Sequence, residues 1–225
     1  ILGSGNYTSI SRSTINYDEN TFKASSSSIL YFGGIVGIME NGATYNYINY
    51  TSLEECFTYG GELVVDTYSG SETICVGGVV GYYVGENLTS NPFRILKNGI
   101  VGTSIKQENS SYKDAVGGIV GKSAYALIAG NTVNMASTIK GAQKVGGIVG
   151  WAGGQTIGFN RINNSTEISL VSGVTMSNTQ SGNNMYGNVE SCTTATEAGK
   201  DAVGGIVGYA LGVKGIYYNE CGIDG

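Results

Sequence analysis

Two aspartates sit in one identical nonapeptide, Lys-Asp-Ala-Val-Gly-Gly-Ile-Val-Gly, which begins at Lys113 and again at Lys200. Asp114 and Asp201 are therefore the first residues to weigh as the acid and base of a polysaccharide-cleaving site, which needs carboxylates clustered on one exposed face. Repetition argues against that role. A residue copied together with its neighbours is more simply repeat chemistry, and the two copies lie two or more repeats apart in the chain. The remaining acids, among them Asp18, Glu19, Glu54, Glu55, Asp66, Glu86 and Glu108, are scattered. The chain has no histidine, so no serine has an imidazole to activate it. The reading is of a chain that is not an enzyme and uses no cofactor, in which Asp114→Asn or Asp201→Asn changes little.

The four cysteines, Cys56, Cys75, Cys192 and Cys221, form no C-x-x-C pair, and without histidine a zinc site is a poor fit. An even number in a chain of low charge suggests disulfides and an oxidising compartment. Local pairing would join Cys56 with Cys75 and Cys192 with Cys221, the second being favoured. Three connectivities stay open, as does the alternative of buried free thiols. Six Asn-x-(Ser/Thr) sequons, at Asn6, Asn49, Asn87, Asn109, Asn163 and Asn164, are possible glycosylation sites, most of them in variable, polar stretches.

The elements that must carry these residues are written in the repeats. An apolar residue followed by Gly-Gly-(Ile/Val)-Val-Gly occurs five times, with glycine pairs at Gly33 and Gly34, Gly77 and Gly78, Gly117 and Gly118, Gly146 and Gly147, and Gly204 and Gly205. Self-similarity at tens of residues means stacked units, none able to bury its apolar side alone. The gaps between first glycines are 44, 40, 29 and 58 residues, so a degenerate copy is expected within the longest gap, at Val171–Met176. Glycine suits a sharp corner where neighbouring backbones approach closely, and the β-branched residues beside it favour extended chain. A phosphate-binding loop is excluded by the missing G-x-x-x-x-G-K-(S/T) spacing.

A second motif alternates with the first: an aliphatic residue, two variable positions, then Asn or a small stand-in. It is plain from Ile95, Ile128, Ile157 and Ile216, and arguable from Ile10, Leu53 and Val189, which makes seven lines of one ladder. Ser13, Cys56, Asn98, Asn131, Asn160, Cys192 and Asn219 would share its polar column. Adjacent Ile and Val in the glycine motif pose a question, because alternate residues of a straight strand face opposite sides. Either the chain bends between them, or one of the columns Ile35/Val79/Ile119/Ile148/Ile206 and Val36/Val80/Val120/Val149/Val207 is an outward apolar stripe. The next outward column, Ile38, Tyr82, Lys122, Trp151 and Tyr209, reads as a rim or a sugar-contacting face.

The alternation of Gly-Gly-(Ile/Val)-Val-Gly with the Ile-x-x-Asn line resembles the GLUG repeat of large secreted bacterial and protist surface proteins, some of which are similar to adhesins of the filamentous-haemagglutinin type. The resemblance covers the chain from about Ile10 onward. It implies an all-β parallel β-helix, or β-solenoid, and names no catalytic residue. The expectation is one β-solenoid domain over residues 1–225, right-handed by the habit of parallel crossovers, with about six to seven coils, and a slice of a longer repeat protein.

Composition agrees. Glycine contributes 37 residues and proline one, charged residues are 13%, and the 41% hydrophobic content argues against disorder. A net charge of −5 with no basic stripe gives no footing for nucleic acid, and no apolar run is long enough to span a membrane. The functional expectation is an extracellular or cell-surface structural module that self-associates into filaments or a layer. An adhesin for glycans or host proteins is the alternative, and a lyase or hydrolase of the β-helix type the second alternative.

Overall fold

The computed structural model describes residues 2–6, 8–40, 52–85, 93–109, 111–134, 136–153, 156–157, 168–171, 174–176, 184–185, 188–191, 202–213, 215–216 and 220–221. Every regular element among them is a β-strand. The chain visits four parallel sheets in a fixed order, and each visit lays a strand, or in the longest sheet a pair of short strands, beside the previous one.

The glycine sheet holds Tyr31–Gly33, Ile74–Gly77, Asp114–Gly117, Lys144–Gly146 and Ala202–Gly204. Beyond a corner, the valine sheet holds Leu2–Asn6, Val36–Glu40, Val80–Val84, Val120–Ala124, Val149–Gly153 and Val207–Leu211. The isoleucine sheet follows with Ile10–Ser11, Ser52–Glu54, Phe93–Leu96, Ala126–Ala129, Thr156–Ile157 and Gly215–Ile216. The long sheet starts with two extended strands, Thr14–Ser26 and Phe57–Tyr68. Later visits split into two short strands, as in Gly99–Val101 with Ser104–Lys106 and Thr132–Val133 with Thr138–Gly141.

Register is set residue on residue. Gly33 pairs with Gly77, Gly77 with Gly117, Gly117 with Gly146, and Gly146 with Gly204. Ile10, Leu53, Ile95, Ile128, Ile157 and Ile216 form one column of the isoleucine sheet. The core is made of such columns. Ile100 and Val133 stack in the long sheet, as do Leu63, Ile105 and Ile139, all of them buried.

The glycine corner resolves the question of the adjacent Ile and Val. In a straight strand successive N–H groups point to opposite edges. Here the N–H groups of Ile35 and Val36 both donate to the Val79 carbonyl at 2.9 Å. The pattern recurs from Val79 and Val80 to Ile119, from Ile119 and Val120 to Ile148, and from Ile148 and Val149 to Ile206. Two consecutive donors on one acceptor require the chain to turn between the sheets, and the turn brings both side chains inward. Ile35, Val36, Val79, Val80, Ile119, Val120, Ile148 and Val149 are all 0% exposed. There is no apolar stripe along these positions; only Ile206 and Val207, in the last strand layer described, are partly exposed.

Two sequence expectations are corrected. No degenerate copy of the glycine motif lies at Val171–Met176. Lys144–Gly146 pairs directly with Ala202–Gly204, and the intervening Ile168–Val171 and Val174–Met176 pair with each other antiparallel, as a hairpin outside the parallel sheets. The extra length of that gap is an insertion. Val189 does not join the isoleucine column either. It stands opposite Ile139 in the long sheet, so among the described residues the isoleucine sheet has six strands where seven lines are expected.

The close approach at the corner makes a sharp mutational test. A Cβ on Gly118 would overlap the Gly147 carbonyl and also meet Val133 Cγ2 at 2.6 Å. Gly118→Ala is expected to lower unfolding free energy by about 3 kcal/mol or more, the cost of forcing atoms into a close-packed interior. Ser123→Ala, nearby, removes a buried hydroxyl that has no hydrogen-bond partner and is expected to leave stability unchanged or raise it by about 1 kcal/mol. Urea unfolding of the two variants measures both.

Candidate functional site

Asp114 is the residue in which sequence and structure differ most. It opens a strand of the glycine sheet and is fully buried. Its Oδ2 accepts hydrogen bonds from the Gln107 side-chain Nε2 at 2.5 Å and the Ala142 N–H at 2.6 Å, and its Oδ1 accepts from the N–H groups of Gln143 and Lys144 at 2.6 and 3.4 Å. Burial pushes the carboxyl pKa upward, and these hydrogen bonds oppose the rise. The carboxylate faces inward onto Gln107 of its own repeat and onto three N–H groups of the next, where it holds the turn between Thr138–Gly141 and Lys144–Gly146. A group engaged in this way has no oxygen left for a substrate proton. Asp201, its sequence twin, lies outside the described residues.

A second polar device runs beside the isoleucine sheet. Asn98 Oδ1 accepts the Cys56 N–H at 3.0 Å, and Asn131 Oδ1 accepts the Asn98 N–H at 2.9 Å. Asn98 Nδ2 donates to the Leu53 carbonyl at 2.8 Å and to Asn131 Oδ1 at 3.0 Å, and Asn131 Nδ2 donates to the Ile95 carbonyl at 3.0 Å. The residue before each member of this column, Arg12, Glu55, Lys97 and Gly130, has a left-handed backbone, with φ of 50°, 56°, 55° and 66°. At Cys56 and Asn98 the turn leaves an N–H aimed along the stack, and the amide of the next repeat satisfies it. Asn160, Cys192 and Asn219, the other expected members, lie outside the described residues.

Cys56 and Cys75 are free thiols, which corrects the expected bridge between them. They belong to different parts of the repeat, Cys56 at the turn leaving the isoleucine sheet and Cys75 within the glycine sheet. The Cys56 thiol donates to the Glu54 and Ile10 carbonyls at 3.3 and 3.7 Å, and the Cys75 thiol to the Thr73 carbonyl at 3.7 Å. Burial pushes Cys75 up to about 12, with the nearby Lys122 charge opposing. The backbone of Cys221 stands opposite Met185, while the favoured partner Cys192 lies outside the described residues. Of the sequons, Asn109 is exposed, and its Oδ1 accepts from the N–H and hydroxyl of Ser111 at 3.0 and 2.6 Å. Asn6 ends a strand of the valine sheet. Asn49, Asn87, Asn163 and Asn164 lie outside the described residues.

Three of the scattered acids are engaged in ion pairs on the surface, and Glu86 lies outside the described residues. Glu55 meets Arg12 and Lys97, Asp66 meets Lys23, and Glu108 meets Lys140. Glu62, which sequence reading passed over, meets Lys106. Among the described residues no three His, Cys, Asp or Glu side chains converge as metal ligands would. The outward column of the valine sheet is a stack: the Lys122 ammonium lies 4.9 Å from the centroids of both the Tyr82 and Trp151 rings. Tyr31 also leans on Tyr82, with ring centroids 5.1 Å apart. These ring faces serve a cation and one another.

The chain matches no family model, no curated protein and no solved structure.

The Asp114 contacts reverse the sequence expectation that its replacement is silent. An asparagine offers one acceptor oxygen where four donors converge. Asp114→Asn is expected to lose about 2 to 3 kcal/mol, the cost of stranding buried donors, as measured by thermal or urea unfolding. The thiols give a separate check. Cys56 and Cys75 should both alkylate without reductant in denaturant, while Cys75 in the native protein should resist iodoacetamide at neutral pH. Peptide mapping in which either is recovered as a disulfide contradicts the assignment.

Proposed function

We propose that this chain is a β-solenoid of the GLUG-repeat kind whose role is structural. It is a non-catalytic module of an extracellular or cell-surface assembly, in which stacked repeats make a stiff rod that associates with itself or with neighbouring repeats. Six strand layers at the usual strand separation span roughly 25 Å. The right-handed sense follows from the general habit of parallel crossovers.

The observation that carries the reading is where the chemically capable groups are used. The Asp114 carboxylate, the Asn98 and Asn131 amides and the two described thiols all spend their hydrogen bonds on backbone or side-chain groups of the stack. Catalysis needs a group held back from such bonds and presented to a substrate. Self-association is supported by the strand layer Ala202–Gly204, Val207–Leu211 and Gly215–Ile216, where Val203, Leu211 and Ile216 are 49%, 57% and 47% exposed. A parallel edge with apolar side chains accepts a further layer. Multiple weak contacts of this kind gain strength by linkage.

Light scattering with electron microscopy of the purified chain tests assembly, the expected result being concentration-dependent end-to-end particles. A monomer at all concentrations contradicts it. Polysaccharide turnover that is abolished by Asp201→Asn while circular dichroism stays unchanged would overturn the non-catalytic reading.

A further inference from the structure

The two long strands outlast their neighbours. Thr14–Ser26 and Phe57–Tyr68 stay paired as far as Ser25 with Thr67 and Ser26 with Tyr68. The next strand, Ser104–Lys106, stops opposite Val64. The following loop brings Tyr112 up instead, and its hydroxyl oxygen accepts the Tyr68 N–H at 3.0 Å. A cleft of about 540 Å³ opens there, lined by Ser25, Ser26, Ser27, Thr67, Tyr68, Ser69 and Tyr112. The volume falls within the usual range for small-molecule sites.

The lining is chemically uniform. Every lining side chain carries a hydroxyl, and none carries a charge. Ser25, Ser27, Thr67 and Ser69 are exposed, and Tyr112 is half-buried. The two aromatic rings are locked in place: their centroids are 5.7 Å apart, edge to face. Tyr68 is buried and donates its hydroxyl proton toward the Ser28 and Glu72 carbonyls at 2.7 and 3.0 Å. Tyr112 uses its oxygen as the acceptor for Tyr68, so its own proton is available to a ligand.

We infer that this cleft binds a neutral saccharide through its hydroxyl groups. An ionic ligand would give up hydration for a site without a countercharge. A purely apolar ligand would cover several hydroxyls without giving them partners. A pyranose matches both demands, because its hydroxyls donate and accept as the serine and threonine hydroxyls do, and its C–H face suits a tyrosine ring that is apolar with a polar tip. The cleft lies apart from the Tyr82–Lys122–Trp151 stack, the column that sequence alone singles out for sugar. The inference adds a ligand to the surface-module reading and rests on it only for where saccharides would be met; binding by the purified chain does not depend on that reading.

The test is a titration of the nitrogen-15-labelled full chain with lactose, cellobiose and chitobiose, and with sialyllactose as the anionic comparison, followed by amide chemical shifts. At least one neutral disaccharide is expected to move the amides of Ser25–Ser27, Thr67–Ser69 and Tyr112 saturably, with a Kd on the order of 1 mM. Thr67→Arg, which fills the cleft from an exposed position, is expected to weaken that binding about tenfold or more, worth roughly 1.4 kcal/mol or more, with unfolding unchanged. Ser69→Arg serves the same purpose should Thr67→Arg lower stability. No shift with any neutral disaccharide, shifts centred outside the cleft, binding of sialyllactose alone, or equal binding by both arginine variants overturns the inference.

Discussion

The parallel sheets of the described residues depend on backbone lying against backbone at one corner. At Gly117 and Gly118 a side-chain carbon would overlap the carbonyls of Val120 and Gly147. The constraint is one of space, since φ at these pairs stays out of the left-handed region. Removing both side chains lets the chain turn sharply while consecutive N–H groups share one carbonyl of the next repeat. That turn places an Ile and a Val side by side in the interior. The core is therefore a consequence of the corner, and five repetitions of it set five glycine-sheet strands in register.

The second turn of the repeat uses a different solution. Left-handed residues at Arg12, Glu55 and Lys97 bear a steric penalty that glycine escapes at Gly130. The amides of Asn98 and Asn131 compensate by joining successive repeats through groups that would otherwise be buried without partners. Asp114 does the same at a third turn. Two polar side-chain devices thus sit at the turns of an apolar stack, each reaching one repeat forward or back. Such links favour a single register, because a slip by one residue would break all of them together.

The repeat period, the glycine columns, the isoleucine column and its polar partners are legible in the sequence because each is a short local pattern copied many times. The role of Asp114 is not. Its donors at Ala142, Gln143 and Lys144 come from the following repeat, and the same nonapeptide at Asp201 makes the residue look merely repetitive. Val189 mimics the isoleucine line, since an aliphatic residue three places before a small one is too common to fix a sheet. The expected copy at Val171–Met176 rests on the length of the gap alone, and a gap length cannot distinguish a repeat from an inserted hairpin. The parity of the cysteines likewise does not reveal that Cys56 sits at a turn and Cys75 within a strand of another sheet. The hydroxyl-lined cleft is invisible in sequence because Ser25–Ser27, Thr67–Ser69 and Tyr112 meet only when unequal strand lengths leave a gap.

The central claim is that successive glycine pairs stack directly upon one another. Through-space proton contacts in the nuclear magnetic resonance spectrum of the labelled protein measure this at one place, the paired strands Asp114–Gly117 and Lys144–Gly146. The account predicts strong cross-strand contacts linking Val116 and Gly117 to Val145 and Gly146, in the pattern of a parallel ladder. Contacts shifted in register, or none between these residues, would contradict it.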